Sequence, residues 1–227
     1  MTVAIVGAMA IEIEYLLKEI NCPEKIEKNG YTFWLGDFSD KKIILTYSGV
    51  GKVAAAVLAT TLVNLFPDLD LVINIGVAGG IIGKTKIGEV ISFNRYAYYD
   101  ADATYFPKYV RGQIPGCPAY FTPEENFLKV CQGIISHEGM VLSGDAFFTN
   151  NAEIKQVIET HFPNENVISL DMESTAFAQS FYHLQIPFGS LRVISDLIGS
   201  AVSEYEENLQ PCAYLACQSL LTVLGKI

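Results

Sequence analysis

The stretch Leu71-Val72-Ile73-Asn74-Ile75-Gly76-Val77-Ala78-Gly79-Gly80 decides the fold of this 227-residue chain. Its first five residues are apolar except for Asn74, and this lack of polar alternation predicts a strand buried on both faces. The next five residues include three glycines, which carry no Cβ and let a ligand approach the backbone. Because plain turn geometry would use the same glycines, both a ligand site and a simple turn remain open for them.

Strands and helices alternate to either side of this segment. Further strands are predicted at Val3–Val6, Tyr31–Phe38, Lys41–Tyr47, Glu89–Phe93, Gly139–Ser143, Val167–Leu170 and Phe188–Ile194. Helices are predicted at Ile11–Ile20, Lys52–Phe66, Glu124–Ser136, Glu153–His161, Glu173–Leu184 and Leu209–Leu224. The alternation predicts one α/β domain over residues 1–227, a three-layer αβα sandwich with a central mixed sheet between helices.

Composition and charge disfavour several classes of partner. The chain has 15 basic and 25 acidic residues, and its net charge of −10 argues against nucleic acid or an anionic membrane. No run reaches the ~20 apolar residues that span a bilayer, and the apolar start lacks the basic residues of a signal peptide. Five cysteines without a C-x-x-C pair disfavour disulfides and zinc, which predicts a reducing, cytoplasmic setting.

A long segment from Tyr96 to Phe121 is rich in aromatic residues, proline and glycine and shows little periodicity. Loops of this length within a compact domain are usually functional or interfacial. The aromatic side chains that we expect at its surface are Tyr98, Tyr99, Tyr105, Phe106, Tyr109 and Tyr120. Since aromatic residues are enriched in protein interfaces, the segment predicts a two-fold homodimer.

Three carboxylates follow predicted strands at widely separated points of the chain. Glu12 comes just after the first strand, Glu173 opens a helix, and Asp196 follows an apolar strand. Each alone is typical of a helix start or a turn. Because ligands bind at the carboxyl edge of open α/β sheets, the three together predict a site with an acid and a base. A buried Arg192 would keep a neighbouring carboxylate ionised.

The segment Gly49–Ala54 matches the dinucleotide-binding pattern G-x-G-x-x-A between a strand and a helix. The acid that such a site needs after the next strand is misplaced, because Asp68 and Asp70 come before that strand. Close packing of helix on sheet, or backbone amides facing a neutral polar ligand, fits this turn better. An NAD-dependent oxidoreductase is the alternative from another class, and a nicotinamide absorbance change would reveal it.

The chain resembles the purine nucleoside phosphorylase / uridine phosphorylase family, on its branch of 5′-methylthioadenosine/S-adenosylhomocysteine nucleosidases, nearly end to end. The segments that carry the resemblance are Val6–Met9 with Glu12, Ser48–Ala54, Asn74–Gly80, Asp100–Thr104 with Gly112–Pro118, Ser143–Phe147, Asp171–Glu173 and Arg192–Asp196. The resemblance implies hydrolysis of the N-glycosidic bond of a 5′-thioadenosine in methionine salvage, by a homodimer that uses no cofactor and no metal.

The resemblance also implies a role for each matching residue in the reaction. Asp196 would donate a proton toward adenine N7, and Ser195 would hold that acid or the adenine amino group. Glu12 would take a proton from the attacking water, with Arg192 near it, and Glu173 would bind the ribose hydroxyls. These roles agree with the acid on one side and the activated water on the other that an oxocarbenium-like transition state needs.

The remaining residues implied by the resemblance contact the substrate. Phe147 would stack on adenine, while the backbone of Phe148 and Gly79 would bind its edge. The others are Met172 on the sugar, Met9, Val50 and Tyr205 at the sugar and thioether end, Ala78 beside Gly79, and Ala103 and Phe106, which would reach the neighbouring subunit's site.

The chain departs from the family at three places. Val77 stands where serine is common, Asp171 stands where glutamate is common, and the loop Leu197–Glu204 is short. Within the family the alternative is a phosphorylase, but phosphate needs cationic donors. The first strand end carries Glu12 and no arginine, so water is favoured over phosphate. A non-catalytic nucleoside-binding protein is disfavoured, because buried carboxylates are a costly way to bind a neutral ligand.

Overall fold

The computed structural model describes residues 1–148 and 150–227. The strands are β1 (Thr2–Gly7), β2 (Asn21–Lys28), β3 (Tyr31–Phe38), β4 (Lys41–Tyr47), β5 (Leu71–Gly80), β6 (Val90–Tyr98), β7 (His137–Ser143), β8 (Val167–Asp171) and β9 (Phe188–Leu197). The helices are α1 (Glu14–Glu19), α2 (Lys52–Leu65), α3 (Glu125–Gln132), α4 (Asn151–His161), α5 (Ser174–Leu184) and α6 (Val202–Leu224), and a 3₁₀ helix spans Ala10–Glu12.

The strands of the described residues form one mixed sheet in the order β2-β3-β4-β1-β5-β8-β7-β6-β9. β5 pairs in parallel with β1 on one side and with β9 on the other, which explains why it is apolar apart from Asn74. Because β5 also pairs with β8, and β9 with β6, strands β5 to β9 close into a ring. The predicted fold class is confirmed, with this closure as an addition.

Helices cover both faces of the sheet. On one face α2 packs through Leu58 and Leu62, and α5 packs through Phe177 and Phe181. On the other face α1, α3 and α6 share a second core, and α4 packs on a third, smaller core with the ends of β6 and β7. This arrangement leaves the carboxyl ends of the parallel strands β1, β5 and β9 uncovered, and the candidate site lies there.

Sequence patterns missed one strand and misplaced several ends. β2 was not predicted because its residues are charged and mostly exposed, as suits an edge strand. Asn29-Gly30, both with positive φ, joins it to β3 and is a strong hairpin signal that could have revealed it. The predicted helix Leu209–Leu224 begins seven residues earlier, at Val202, and continues through Pro211.

Two further expectations were wrong in detail. The predicted helix Ile11–Ile20 is split into the 3₁₀ helix and α1, and Glu12 ends the first of these. Tyr98 and Tyr99, which we expected at the surface, are each 5% exposed because β6 continues to Tyr98 and carries both into the core. Tyr105, at 89% exposed, remains a surface residue.

None of the helices in the described ranges is both long and apolar enough to cross a bilayer. All five cysteines, which lie within those ranges, are free thiols.

Candidate active site

The carboxyl ends of β1, β5, β8 and β9 converge on one cavity of about 650 Å³, including its open mouth. It is lined by Ala8, Met9, Glu12, Val50, Val77, Ala78, Gly79, Ala146, Phe147, Phe148, Leu170, Asp171, Met172, Glu173, Ser195, Asp196, Ile198 and Tyr205. The structure thus brings together twelve of the fifteen residues that the sequence predicted for the site, from segments spread over almost the whole chain.

A bulge in β9 places Ser195 and Asp196 together at the cavity. Ala78 pairs with Ile194 but Gly79 pairs with Asp196, so Ser195 is an extra residue opposite β5. Side chains of a regular strand alternate between faces, and two neighbours would not line one cavity. The bulge breaks this alternation, and both side chains reach the same site.

Glu12 is held by the backbone on three sides. Its Oε2 accepts hydrogen bonds from the N–H groups of Ala8 (2.7 Å) and Met9 (2.9 Å), and its Oε1 accepts one from Val77 (2.9 Å). The side chain is 1% exposed. A carboxylate offers about four acceptor positions, so these three bonds leave one on Oε1, in a residue that lines the cavity.

Gly76 makes room for this carboxylate. Its φ is +149°, and a Cβ there would overlap the Glu12 carboxylate and lie 2.6 Å from Nη1 of Arg192. Only glycine fits this position, both by conformation and by space. The glycine that looked like a turn signal in the sequence is therefore required by the site.

Arg192 lies beneath the cavity and is fully buried. Its guanidinium donates to Asn74 Oδ1 (2.5 Å) and to Ser174 Oγ (3.3 Å). Three carboxylates surround it, at 3.3 Å for Asp171, 3.6 Å for Glu173 and 3.7 Å for Glu12. Burial opposes the charge on Arg192, but these carboxylates outweigh burial and raise its pKa.

Glu173 is 4% exposed at the start of α5. Its Oε1 accepts a hydrogen bond from Gly51 N (2.8 Å), and its Oε2 faces Arg192. Burial raises the pKa of Glu173 to about 7, since the loss of hydration outweighs the attraction of Arg192. The group can therefore exchange a proton near neutral pH.

Asp196 is 6% exposed at the end of β9. The Ser195 hydroxyl donates to its Oδ1 (2.7 Å), and Oδ2 lies on the side of Gly79. Burial raises the pKa of Asp196, although the bond from Ser195 opposes this shift. Asp196 is thus suited to carry a proton at a higher pH than an exposed aspartate would.

Apolar side chains form the outer part of the cavity. Phe147 is 51% exposed and meets Tyr205 edge-to-face, with ring centroids 5.5 Å apart. The Tyr205 hydroxyl lies 3.7 Å from Met9 Sδ. Together with Val50 and Met172, these groups form apolar surfaces on which a flat, apolar part of a ligand can pack.

Three predicted residues do not line the cavity. Arg192 acts from beneath the floor, through the carboxylates. Ala103 and Phe106 lie in the segment after β6, away from this chain's cavity, and Phe106 is 54% exposed. Their predicted place in a neighbouring subunit's site stays a prediction.

Asn74 and Ser174 were missed as functional residues, although both hold Arg192. Ser174 Oγ also donates to Asn74 Oδ1 (3.2 Å), so the two form one support. A signal existed for Asn74, because it is the one polar residue in an apolar strand and a buried amide needs a partner. No local pattern pointed to Ser174.

Comparisons with known proteins agree with this geometry. The family model described as the phosphorylase superfamily matches residues 2–225. A 5′-methylthioadenosine/S-adenosylhomocysteine nucleosidase of Staphylococcus saprophyticus is 37% identical over 223 residues, 95% of this chain and 96% of that protein. The chain belongs to the phosphorylase superfamily, in the family of these nucleosidases.

Solved structures show the same fold within this family. The 5′-methylthioadenosine/S-adenosylhomocysteine nucleosidase of S. pneumoniae, with a transition-state inhibitor, matches with a TM-score of 0.92 and 30% identity over 99% of this chain and 98% of its own. A futalosine hydrolase of Helicobacter pylori matches with a TM-score of 0.91 and 25% identity over 100% and 98% of the two chains. The same fold is therefore shared by enzymes that are named for different substrates.

Proposed function

We propose that this protein hydrolyses the N-glycosidic bond of 5′-methylthioadenosine and S-adenosylhomocysteine, releasing adenine and the 5′-thioribose. The observation that carries the proposal is the pairing of two differently placed carboxyls in one cavity. Burial raises the pKa of Asp196 in one part of the cavity wall. In another part of the wall, Glu12 is held by three backbone N–H donors. An acid for the leaving group and a base for water are what such a hydrolysis needs.

Asp196 activates adenine as the leaving group. With Oδ1 bound by Ser195, Oδ2 is the oxygen that can carry the proton toward purine N7. A neutral carboxylic acid donates best when its pKa lies near the working pH, and burial raises the pKa of Asp196 above that of an exposed aspartate. Pyrimidines have no N7, so their nucleosides are expected to be poor substrates.

Water is the nucleophile, and Glu12 holds it at its one free acceptor position. Val77 contributes its backbone N–H to this carboxylate. Glu173 lines the cavity, where its carboxyl group would bind the ribose hydroxyls. Arg192 positions both glutamates from below.

A phosphorylase reaction fits the cavity poorly. In the described chain, the titratable side chains that line it are the phenol of Tyr205 and four carboxylic acids, namely Glu12, Asp171, Glu173 and Asp196. Arg192 is occupied by three of these carboxylates. A phosphate dianion would meet repulsion with no free cation to offset it.

Two further proposals concern assembly and setting. The exposed aromatic residues Tyr105 and Phe106 support a two-fold homodimer in which Phe106 reaches the partner's cavity. Five free thiols and a net charge of −10 support a reducing cytoplasm as the setting, with no nucleic acid or membrane as partner.

The proposal is tested by incubating the protein with 5′-methylthioadenosine, with and without phosphate, and identifying the sugar product. We expect phosphate-independent release of adenine and free methylthioribose. A ribose-1-phosphate product would replace the hydrolase with a phosphorylase. The same assay is run with S-adenosylhomocysteine, 5′-deoxyadenosine and a futalosine-type nucleoside. The relative rates of cleavage then show which 5′ group the enzyme prefers.

A further inference from the structure

Three segments at the mouth of the cavity meet at one ammonium group outside it. Lys52 Nζ, in the first turn of α2, lies 2.6 Å from Asp100 Oδ2 and 3.7 Å from Asp145 Oδ2. Asp100 follows β6, and Asp145 follows β7. The lysine therefore joins a helix start to the ends of two strands that are neighbours in the sheet.

Asp145 is bound twice more through the backbone. Its Oδ1 accepts a hydrogen bond from Lys52 N (2.8 Å), and its own N–H donates to Asp100 Oδ2 (3.1 Å). Asp145 begins the loop that carries Phe147 and Phe148 into the cavity. The loop is thus anchored by α2 and Asp100 at Asp145, and by Tyr99 at the next residue, where the Tyr99 hydroxyl accepts from Ala146 N (2.9 Å) and donates to Ala146 O (3.0 Å).

The neighbouring backbone amide of α2 holds the sugar side of the cavity. Gly51 N donates to Glu173 Oε1, and Lys52 N donates to Asp145 Oδ1, both at 2.8 Å. Two consecutive N–H groups therefore fix the distance between the carboxylate proposed to bind ribose and the loop proposed to bind adenine. Such spacing matters because a substrate must be held in a defined geometry to react.

The charged groups of Lys52, Asp100 and Asp145 are expected to contribute little to the folding stability of the protein. The side chains of Lys52, Asp100 and Asp145 are 29%, 28% and 45% exposed. Ion pairs at this exposure add little to folding stability, whereas a network with several shared partners can fix local geometry. Because the network lies beside the cavity, the local geometry that it can fix is the geometry of the site.

We propose that Lys52, Asp100 and Asp145 form a positioning unit that holds the adenine-binding loop against the sugar-binding carboxylate. The inference rests on the proposed function, since it assigns the two sides of the cavity to base and sugar. Glu12 and Asp196 are held by other contacts and keep their places when the unit is broken. Loss of the unit therefore weakens substrate binding more than it slows the chemical step.

The test compares the parent with Asp145→Ala, Asp145→Asn, Lys52→Met and Lys52→Arg. Lys129→Met is the matched control, because it breaks an exposed ion pair with Glu125 on α3, away from the cavity. Steady-state kinetics with 5′-methylthioadenosine give KM and kcat separately, and calorimetry gives the Kd of adenine. Thermal melting shows that each variant is folded.

For Asp145→Ala we expect KM and the adenine Kd to rise roughly tenfold with kcat within about threefold of the parent, the size expected for a lost charge-assisted hydrogen bond. Lys52→Met should behave alike, Asp145→Asn should fall between, and Lys52→Arg should restore parental values. Unchanged KM and Kd in folded Asp145→Ala, or a loss confined to kcat, would overturn the positioning unit. A parent that does not cleave the nucleoside would instead overturn the proposed function, while adenine binding would still test the unit.

Discussion

At the scale of single residues, the site rests on how three carboxylates differ in their surroundings. Glu12 is surrounded by N–H donors, Asp196 by apolar groups and one hydroxyl, and Glu173 by one amide and Arg192. The residue types alone would not assign roles to them. Their different surroundings support the proposed roles of Glu12 as base, Asp196 as acid and Glu173 as the group that binds the sugar.

Glu12→Gln is expected to lower kcat on the order of 10²–10⁴-fold, because an amide cannot take the proton from water. It must also turn an NH₂ group toward a backbone N–H, since Glu12 accepts bonds from Ala8, Met9 and Val77. The variant should therefore melt lower than the parent as well. Adenine binding by calorimetry serves as the control, and a variant with parental kcat would remove Glu12 from the mechanism.

Asp196→Asn keeps the shape of the side chain and can still hydrogen-bond, but it cannot transfer a proton. We expect near-abolished turnover of 5′-methylthioadenosine with binding largely retained. In the parent, activity should decline as pH rises through the pKa of Asp196, which burial has raised. Uridine cleaved as readily as 5′-methylthioadenosine, or an Asn variant at parental rate, would contradict the assignment.

Glu173 should make folding stability depend on pH in a defined direction. Burial raises its pKa from the ordinary 4.5 to about 7 in the folded protein. Between these values the folded state holds a proton that the unfolded chain has lost, so stability falls as pH rises through this window. Glu173→Gln removes the effect, and its melting temperature relative to the parent should rise from pH 5 to pH 8. The difference is at most about 3 kcal/mol, at 1.36 kcal/mol per pKa unit, and a constant offset between the two proteins would refute it.

At the scale of elements, β5 does most to build the site. It supplies Asn74 to Arg192, space for Glu12 at Gly76, the N–H of Val77, and the backbone of Gly79 opposite Asp196. A buried central strand has partners on both sides, so its side chains and backbone reach two neighbouring strands at once.

Gly76→Ala tests this strand directly. The new Cβ would overlap the Glu12 carboxylate, so we expect loss of most activity and destabilisation by more than ~2 kcal/mol, as for other buried steric conflicts. Gly83→Ala is the matched control, because Gly83 also has positive φ but no atom lies within 4 Å of its added Cβ. Chemical denaturation measures the stability of both variants, and steady-state kinetics measure their activity. If the two substitutions lowered stability and activity equally, backbone conformation alone would matter at Gly76.

The elements also show what a sequence can predict. The apolar run of β5 and the carboxylates at strand ends rest on local patterns, and these were found. The contact between Arg192 and Asn74 was not found, because it joins positions 118 residues apart through the pairing of β5 with β9. The closure of β5 to β9 into a ring is likewise a product of long-range pairing, which no local pattern encodes.

At the scale of the whole molecule, the two sides of the fold have different tasks. The core beneath α2 and α5 and the core beneath α6 hold the sheet rigid. The long segment after β6 leaves Tyr105 and Phe106 at the surface, at 89% and 54% exposed. These exposed aromatic side chains would lie in the interface of the proposed homodimer.

Phe106→Asp is expected to shift the protein toward monomers in sedimentation experiments and to lower its activity, because a charge at the interface opposes association. Ile82→Asp is the control, since Ile82 is similarly exposed at 51% but lies outside the segment. A fully active monomeric parent at assay concentration would contradict the proposed dimer. So would an Ile82→Asp variant that dissociates to the same extent.

The extra residue in β9 has a consequence for the gene. Removal of the Ser195 codon would keep the reading frame, and β9 could still pair with β5 in a regular register. Asp196 would then follow Ile194 directly, and regular alternation would keep its side chain on the cavity face. Such an in-frame deletion would leave the proposed proton donor in place and remove the hydroxyl that binds its Oδ1, so the loss of one triplet would raise the pKa of the acid further without moving it to the other face.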